Sequence, residues 1–175
     1  MHEETLYKRL FAPFILLVLA YEWIASGIDK LFNHQFPQEL NRGLSVSINK
    51  LPRSVVANFL NRLTMAHPVL FAVVLEVGEL CLGICFFVIA MSLFRNKLTK
   101  LIRIIGIWAG IISSIMAINF PFLKGEDLFL DITSNNRGLS MDFLLFLVQI
   151  WVAIFFFTLD RKQVSEELYP DEYNQ

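Results

Sequence analysis

The sequence predicts an all-α integral membrane protein, a four-helix bundle with one additional amphipathic helix on its outer side. Three observations carry that prediction. Four apolar runs reach or approach the ~20 residues that cross a bilayer as a helix. Hydrophobic residues make up 55% of the 175 and charged residues only 18%, below the ~25% of an ordinary soluble domain. Acidic side chains nevertheless interrupt two of the runs, at Glu22, Glu76 and Glu79. An ionised Asp, Lys or Arg at the middle of a membrane helix costs at least ~2.5–3.5 kcal/mol on insertion scales, so side chains of this kind are either used or tightly paired.

Span one is expected over about residues 10–28, with Pro13 in its first turn, where a missing amide is tolerated. The run outlasts a signal peptide and no clean cleavage pattern follows it, so it reads as a retained span. Residues 29–67 form a long outer segment. Toward its end, from Ser54 to Ala66, Val55, Val56, Phe59, Leu60 and Leu63 share one helical face, which predicts an amphipathic helix at the outer interface. Span two covers 68–94, opened by Pro68, a residue suited to the first helical position. Span three covers 101–120 and is expected to end at Pro121; span four covers 141–159. All four are read as helices because backbone groups in lipid must be satisfied within the segment. These spans make one domain, 1–160, followed by a polar cytoplasmic tail, 161–175, expected to be mobile from 165.

Basic residues orient the bundle. Arg95, Lys97, Lys100 and Arg103 crowd the short connection between spans two and three, Lys8 and Arg9 precede span one, and Arg161 and Lys162 follow span four. The positive-inside rule places all of them in the cytoplasm, giving a multi-pass protein of the cell membrane with both termini cytoplasmic.

That topology gathers the polar residues at one end. Glu22 lies about 10 Å deeper than Asp29, and Glu76 and Glu79 lie about 12 and about 16 Å below Pro68. Asn119 closes span three and Asp142 opens span four on the same side, with Lys30, Arg42 and Arg137 as the available cations. Residues 22, 26 and 29 share a face of helix one, as do 76, 79, 80 and 83 of helix two. Ser26 and Gly83 on those faces are small, which permits close helix approach. The acidic faces of spans one and two are therefore expected to meet inside the bundle. Purely structural roles compete: Asp29 and Lys30 as helix-end charges, Glu79 as a neutral acid bonded across helices, Asn119 and Asp142 as caps.

Other chemistry is disfavoured. The net charge of -1 and the absence of a basic aromatic stripe argue against nucleic acid. The three histidines, His2, His34 and His67, stand outside the spans, so neither haem nor a metal is predicted. Cys81 and Cys85, four apart on one helix, read as buried free thiols.

Y-E-W-I-A-S-G-I-D-K-L, Tyr21 to Leu31, resembles the end of the first helix of DoxX-like membrane proteins, the DoxD branch in particular. H-P-V-L-F-A-V-V-L-E-V-G-E-L-C-L-G, His67 to Gly83, resembles the second helix of that family. Asn119 and G-L-S-M-D, Gly138 to Asp142, are similar to its remaining marks, and the resemblance spans roughly 9–158. It implies the membrane subunit of a thiosulfate:quinone oxidoreductase, with quinone as electron acceptor. On that basis Glu22, Glu76 and Glu79 are the expected catalytic residues, with Glu22 and Glu76 as proton donors. Trp23, Asp29, Lys30, Asn119, Arg137 and Asp142 are the expected substrate-binding residues. Lys30 and Arg137 would attract the sulfur anion or polarise a quinone carbonyl, and Trp23 would line the quinone channel. Membrane lipid, quinone and a second protein subunit are the expected partners. The competing class is a non-enzymatic membrane anchor or assembly factor for a partner redox protein; a small-solute or proton transporter is less attractive in four spans without repeats.

Overall fold

Long apolar helices dominate the computed structural model, which describes residues 2–33, 35–50, 67–124, 130–131, 138–139 and 141–168. Side chains are described over 11–33, 35–43, 45, 67–118 and 143–159. Among the described residues five helices run in order: α1 His2–Phe32, α2 Phe36–Lys50, α3 Pro68–Phe94, α4 Lys100–Lys124 and α5 Met141–Leu168. Between α4 and α5, Leu130–Asp131 and Gly138–Leu139 pair as a two-residue antiparallel ladder. Among the described residues three stretches are long and apolar enough to cross a membrane, Phe11–Phe32, Pro68–Phe94 and Lys100–Ile118; Phe143–Leu159 is a shorter apolar stretch.

The helices form two antiparallel pairs, α1 with α3 and α4 with α5, joined along a thinner α3–α4 contact. Small residues set the approach within each pair. Gly27 meets Leu80 and Gly83 meets Ile24 and Ala20 in the first; Gly106 meets Phe156 and Gly110 meets Ala153 in the second. Phe14 and Phe94 make an edge-to-face contact at the far end of the first pair, ring centroids 6.3 Å apart. All four helices then share one apolar core containing Leu16, Trp23, Phe86, Ala109, Val152 and Phe156.

The molecule is inside-out relative to a soluble protein. Exposed positions hold Phe14, Val18, Val74, Phe87, Trp108, Ile112, Ile154 and Phe157, while Glu76, Glu79, Arg103, Ser113, Ser114 and Gln149 are buried. Soluble surfaces do not expose apolar area on this scale, whereas hydrocarbon accepts it without cost.

Several expected boundaries move. α1 begins at His2, so Pro13 is a buried interior residue and not a first-turn one. α4 passes through Pro121 to Lys124; a proline in the last turn removes only one hydrogen bond. α5 continues to Leu168, so the helix runs on through the first part of the segment expected as a polar tail, 161–175. Cys81 and Cys85 are free thiols, but Cys81 is exposed and not buried. The amphipathic segment expected over 54–66 lies outside the described residues. An unexpected helix, α2, follows α1 after a tight turn in which the Asn33 Oδ1 accepts from the Gln35 amide (3.0 Å) and the Phe36 amide donates to the Asn33 carbonyl (2.9 Å).

The α3–α4 connection is specified locally. The Lys97 amide donates to the Ser92 carbonyl (2.9 Å) and the Asn96 amide to the Leu93 carbonyl (3.0 Å), the paired bonds of a Schellman ending. Asn96 takes φ 52°, a left-handed value that asparagine tolerates better than other residues with a β-carbon. Thr99 then caps α4, its Oγ1 accepting from the Ile102 amide (3.3 Å). Removing that cap with Thr99→Ala is expected to lower unfolding stability by about 1 kcal/mol. Thr99→Ser should restore most of it, as read by denaturant titration in detergent micelles.

Candidate functional site

The shared core gives way to polar side chains in every helix that builds it, on the side toward α2. One turn beyond Leu82, α3 presents Glu79; one turn beyond Ala109, α4 presents Ser113; one turn before Val152, α5 presents Gln149. In α1 the step runs from Trp23 through Gly27 to Lys30. The helix contacts confirm that these are one layer. Gly27 and Leu80 are level in the first pair, Gly110 and Ala153 in the second, and a β-carbon on Gly78 would stand 3.9 Å from the Met116 methyl across the α3–α4 contact. Counting outward from those contacts brings Lys30, Glu79, Ser114 and Gln149 to the same height within about one turn, ~5.4 Å.

Lys30 and Glu79 form the centre of the layer. The ammonium of Lys30 donates to Glu79 Oε1 in a buried ion pair and also bonds Ser26 Oγ at 3.1 Å. Its nitrogen lies 5.4 Å from the centre of the Phe36 ring, at the start of α2, within cation–π range. The Lys30 side chain is 17% exposed and Glu79 is fully buried. The second carboxylate oxygen, Glu79 Oε2, is buried without a hydrogen-bond partner. Glu76, one turn nearer the start of α3, is 7% exposed. Beside these carboxylates α2 packs across the helices: Leu40 and Phe36 pack on Phe71, Ala72 and Leu75 of α3, and α2 also touches α4. The result is a carboxylate pair and an ammonium under an apolar cover, with one oxygen free to accept a proton or a donor.

The other expected site residues separate into three groups. Trp23 is buried in the core two turns below Lys30, where it floors the polar layer. Glu22 and Asp29 do not enter it. Both are exposed, on the face of α1 that carries Val18 and Tyr21. The expectation that Glu22 faces the interior with Glu76 is therefore corrected. The packed stripe of α1 is Leu16, Ala20, Trp23, Gly27 and Lys30, and position 22 lies about 100° around the helix from position 23. Asn119 lies within α4 and Asp142 in the first turn of α5, consistent with a helix-start position; their side chains, and all of Arg137, lie outside the described residues.

Two contributions were not expected from sequence, the α2 cover and Gln149. Among the described residues no three His, Cys, Asp or Glu side chains cluster as a metal would require. Three helices able to cross a membrane, apolar side chains turned outward and a charged pair held within define a helical membrane protein with a polar site toward one end. No family model, curated protein or solved structure matches the chain.

Proposed function

We propose that the chain is a DoxD-like membrane subunit of a thiosulfate:quinone oxidoreductase, working toward the outer side of the cell membrane with a second protein subunit. The observation that supports this reading is the buried Lys30–Glu79 pair with its orphaned carboxylate oxygen, one turn from Glu76 and enclosed by apolar helices. In the reaction two thiosulfates join through a new S–S bond to give tetrathionate and release two electrons. A quinone takes those electrons and two protons to become a quinol. Glu76 and Glu79 are the proton-handling groups in this scheme, and the Lys30 ammonium polarises the quinone carbonyl as charge develops on its oxygen. Glu22, on the exposed face, has no part in it. The four-span arrangement, with α5 as the fourth span and both termini cytoplasmic, belongs to the same proposal.

The test is thiosulfate-dependent reduction of a short-chain ubiquinone by the protein in nanodiscs, with any co-purifying subunit retained. Loss of a general acid typically costs 10²–10⁴-fold. Glu79→Gln and Glu76→Gln are each expected to lower turnover by about 10²-fold or more while quinone still binds. Full activity in both variants refutes the proton roles.

One observation favours the alternative of a non-enzymatic membrane anchor or assembly factor. Glu22 is exposed on an apolar stretch of α1, where a carboxylate facing lipid is costly and one facing a partner helix is not. A chain that shows no turnover, and loses a co-purifying subunit on Glu22→Leu, fits that reading.

A further inference from the structure

Gln149 is fully buried in the middle of an apolar stretch of α5, and both ends of its amide, Oε1 and Nε2, lack a hydrogen-bond partner. Its nearest opposite numbers do not serve it. The α4–α5 register that sets Gly110 against Ala153 and Gly106 against Phe156 brings Ser113 and Ser114 level with Gln149. Both hydroxyls, however, donate to the Gly110 carbonyl, at 3.2 and 2.6 Å. A carboxamide buried in hydrocarbon with neither end satisfied is costly, and leucine would fill such a position without that cost. Its presence calls for a partner that supplies both an acceptor and a donor.

The same layer contains a second unmet polar atom, Glu79 Oε2, on the other helix pair. The two orphaned groups belong to different pairs, stand at the same height, and lie just beyond the core that all four helices share. We propose that Gln149 is a binding residue for the quinone head group, holding the ring oxygen opposite the one that faces Lys30 and Glu79. This rests on the quinone reading above and extends it by naming the second point of attachment. An amide suits the task in both redox states. Its Nε2 donates to a quinone carbonyl, and its Oε1 accepts from the quinol hydroxyl that replaces it. A head group held at both ends lies across the α1–α3 and α4–α5 pairs, so α4 and α5 take part in the site.

The experiment uses the full chain in nanodiscs and a short-chain ubiquinone labelled with carbon-13 at one or the other ring carbonyl, followed by infrared difference spectroscopy and by titration. In the unaltered protein both carbonyl bands are expected at hydrogen-bonded frequencies. Gln149→Leu should return one band to its free position, leave the other in place and weaken binding about tenfold, the equivalent of one hydrogen bond. Gln149→Met, closer in volume, should do the same. Both variants should also melt higher than the unaltered protein without quinone and gain less from its addition, a combination that a merely structural glutamine would not give. If the unaltered protein binds quinone with one carbonyl free, or the variants keep both bands and full affinity, the inference falls and the quinone reading stands. If the unaltered protein binds no quinone, that reading falls and this inference with it.

Discussion

Replacing Lys30 with methionine is expected to destabilise the protein by about 3–5 kcal/mol, the usual cost of removing one partner from a buried ion pair. Glu79 is fully buried, its Oε1 is held by the Lys30 ammonium, and its Oε2 has no partner at all. Without the ammonium the carboxylate keeps no strong donor inside an apolar bundle. The contacts that Lys30 makes with Ser26 Oγ and the Phe36 ring do not belong to the carboxylate and cannot substitute. Removing both charges is a different matter. Desolvating two ions offsets much of their attraction, and well-packed apolar replacements are often neutral or stabilising by 1–4 kcal/mol. Lys30→Met with Glu79→Leu should therefore recover most of the loss, and the double-mutant cycle should give a coupling of several kcal/mol. Unfolding in mixed micelles at rising denaturing-detergent fraction measures all four proteins. A single-variant loss below about 0.5 kcal/mol would place the pair in the surface class, where exposed bridges contribute little, and would contradict the burial. The double variant also separates stability from function: under the proposed reaction it folds as well as the unaltered protein and reduces no quinone.

Much of this architecture is written in the sequence, and the errors share one cause. Long apolar runs mark helices because backbone groups in lipid must be satisfied within the segment, and the second run coincides with the helix Pro68–Phe94. Glu76, Glu79 and Lys30 were identifiable because charge inside such a run is rare enough to mark itself. What could not be read was which way each helix faces. In water, the apolar face of a helix points to the core and its period reveals it. In lipid both sides are apolar, so the phase is carried by small residues alone. The sequence points to Ser26 as the small residue of α1, whereas Gly27 is the residue at the close contact. That one-residue slip turns the helix by about 100° and accounts for Glu22 being expected inside. Gln149 is a polar exception among the apolar residues of its helix, yet its meaning depends on being level with Glu79, which only the register between helices supplies. α2 was missed for a local reason: its sequence, FPQELNRGLSVSINK, mixes proline, glycine and β-branched residues that weaken any helical signal. Packing of Phe36 and Leu40 on α3 accompanies a helix that propensity would not predict.

Gly83 and Gly78 lie on the same helix and should respond in opposite directions to the same change. A β-carbon on Gly83 would stand 2.5 Å from Ile24 Cγ1, 2.9 Å from the Ile24 amide nitrogen and 3.1 Å from the Ala20 carbonyl oxygen. The Ile24 side chain can rotate, but the two backbone atoms retreat only if α1 moves as a body. Gly83→Ala is therefore expected to cost about 1–3 kcal/mol, the range for overpacking a close contact, and Gly83→Leu to separate α1 from α3 altogether. Gly78 has room: its added carbon would meet only the Met116 methyl, at 3.9 Å, an ordinary contact. There Gly→Ala should stabilise by up to about 1 kcal/mol, through the higher helix propensity of alanine. Unfolding of the two alanine variants under identical conditions decides the matter, and equal effects would contradict the close approach of α1 and α3 at Gly83. The consequence reaches the site. Lys30 sits about one turn beyond Gly27 and Glu79 is the residue next to Leu80 on these same two helices, so spreading the pair at Gly83 also pulls the ammonium from the carboxylate. Gly83→Ala should accordingly reduce the Lys30–Glu79 coupling measured by the double-mutant cycle, whereas Gly78→Ala should leave it unchanged.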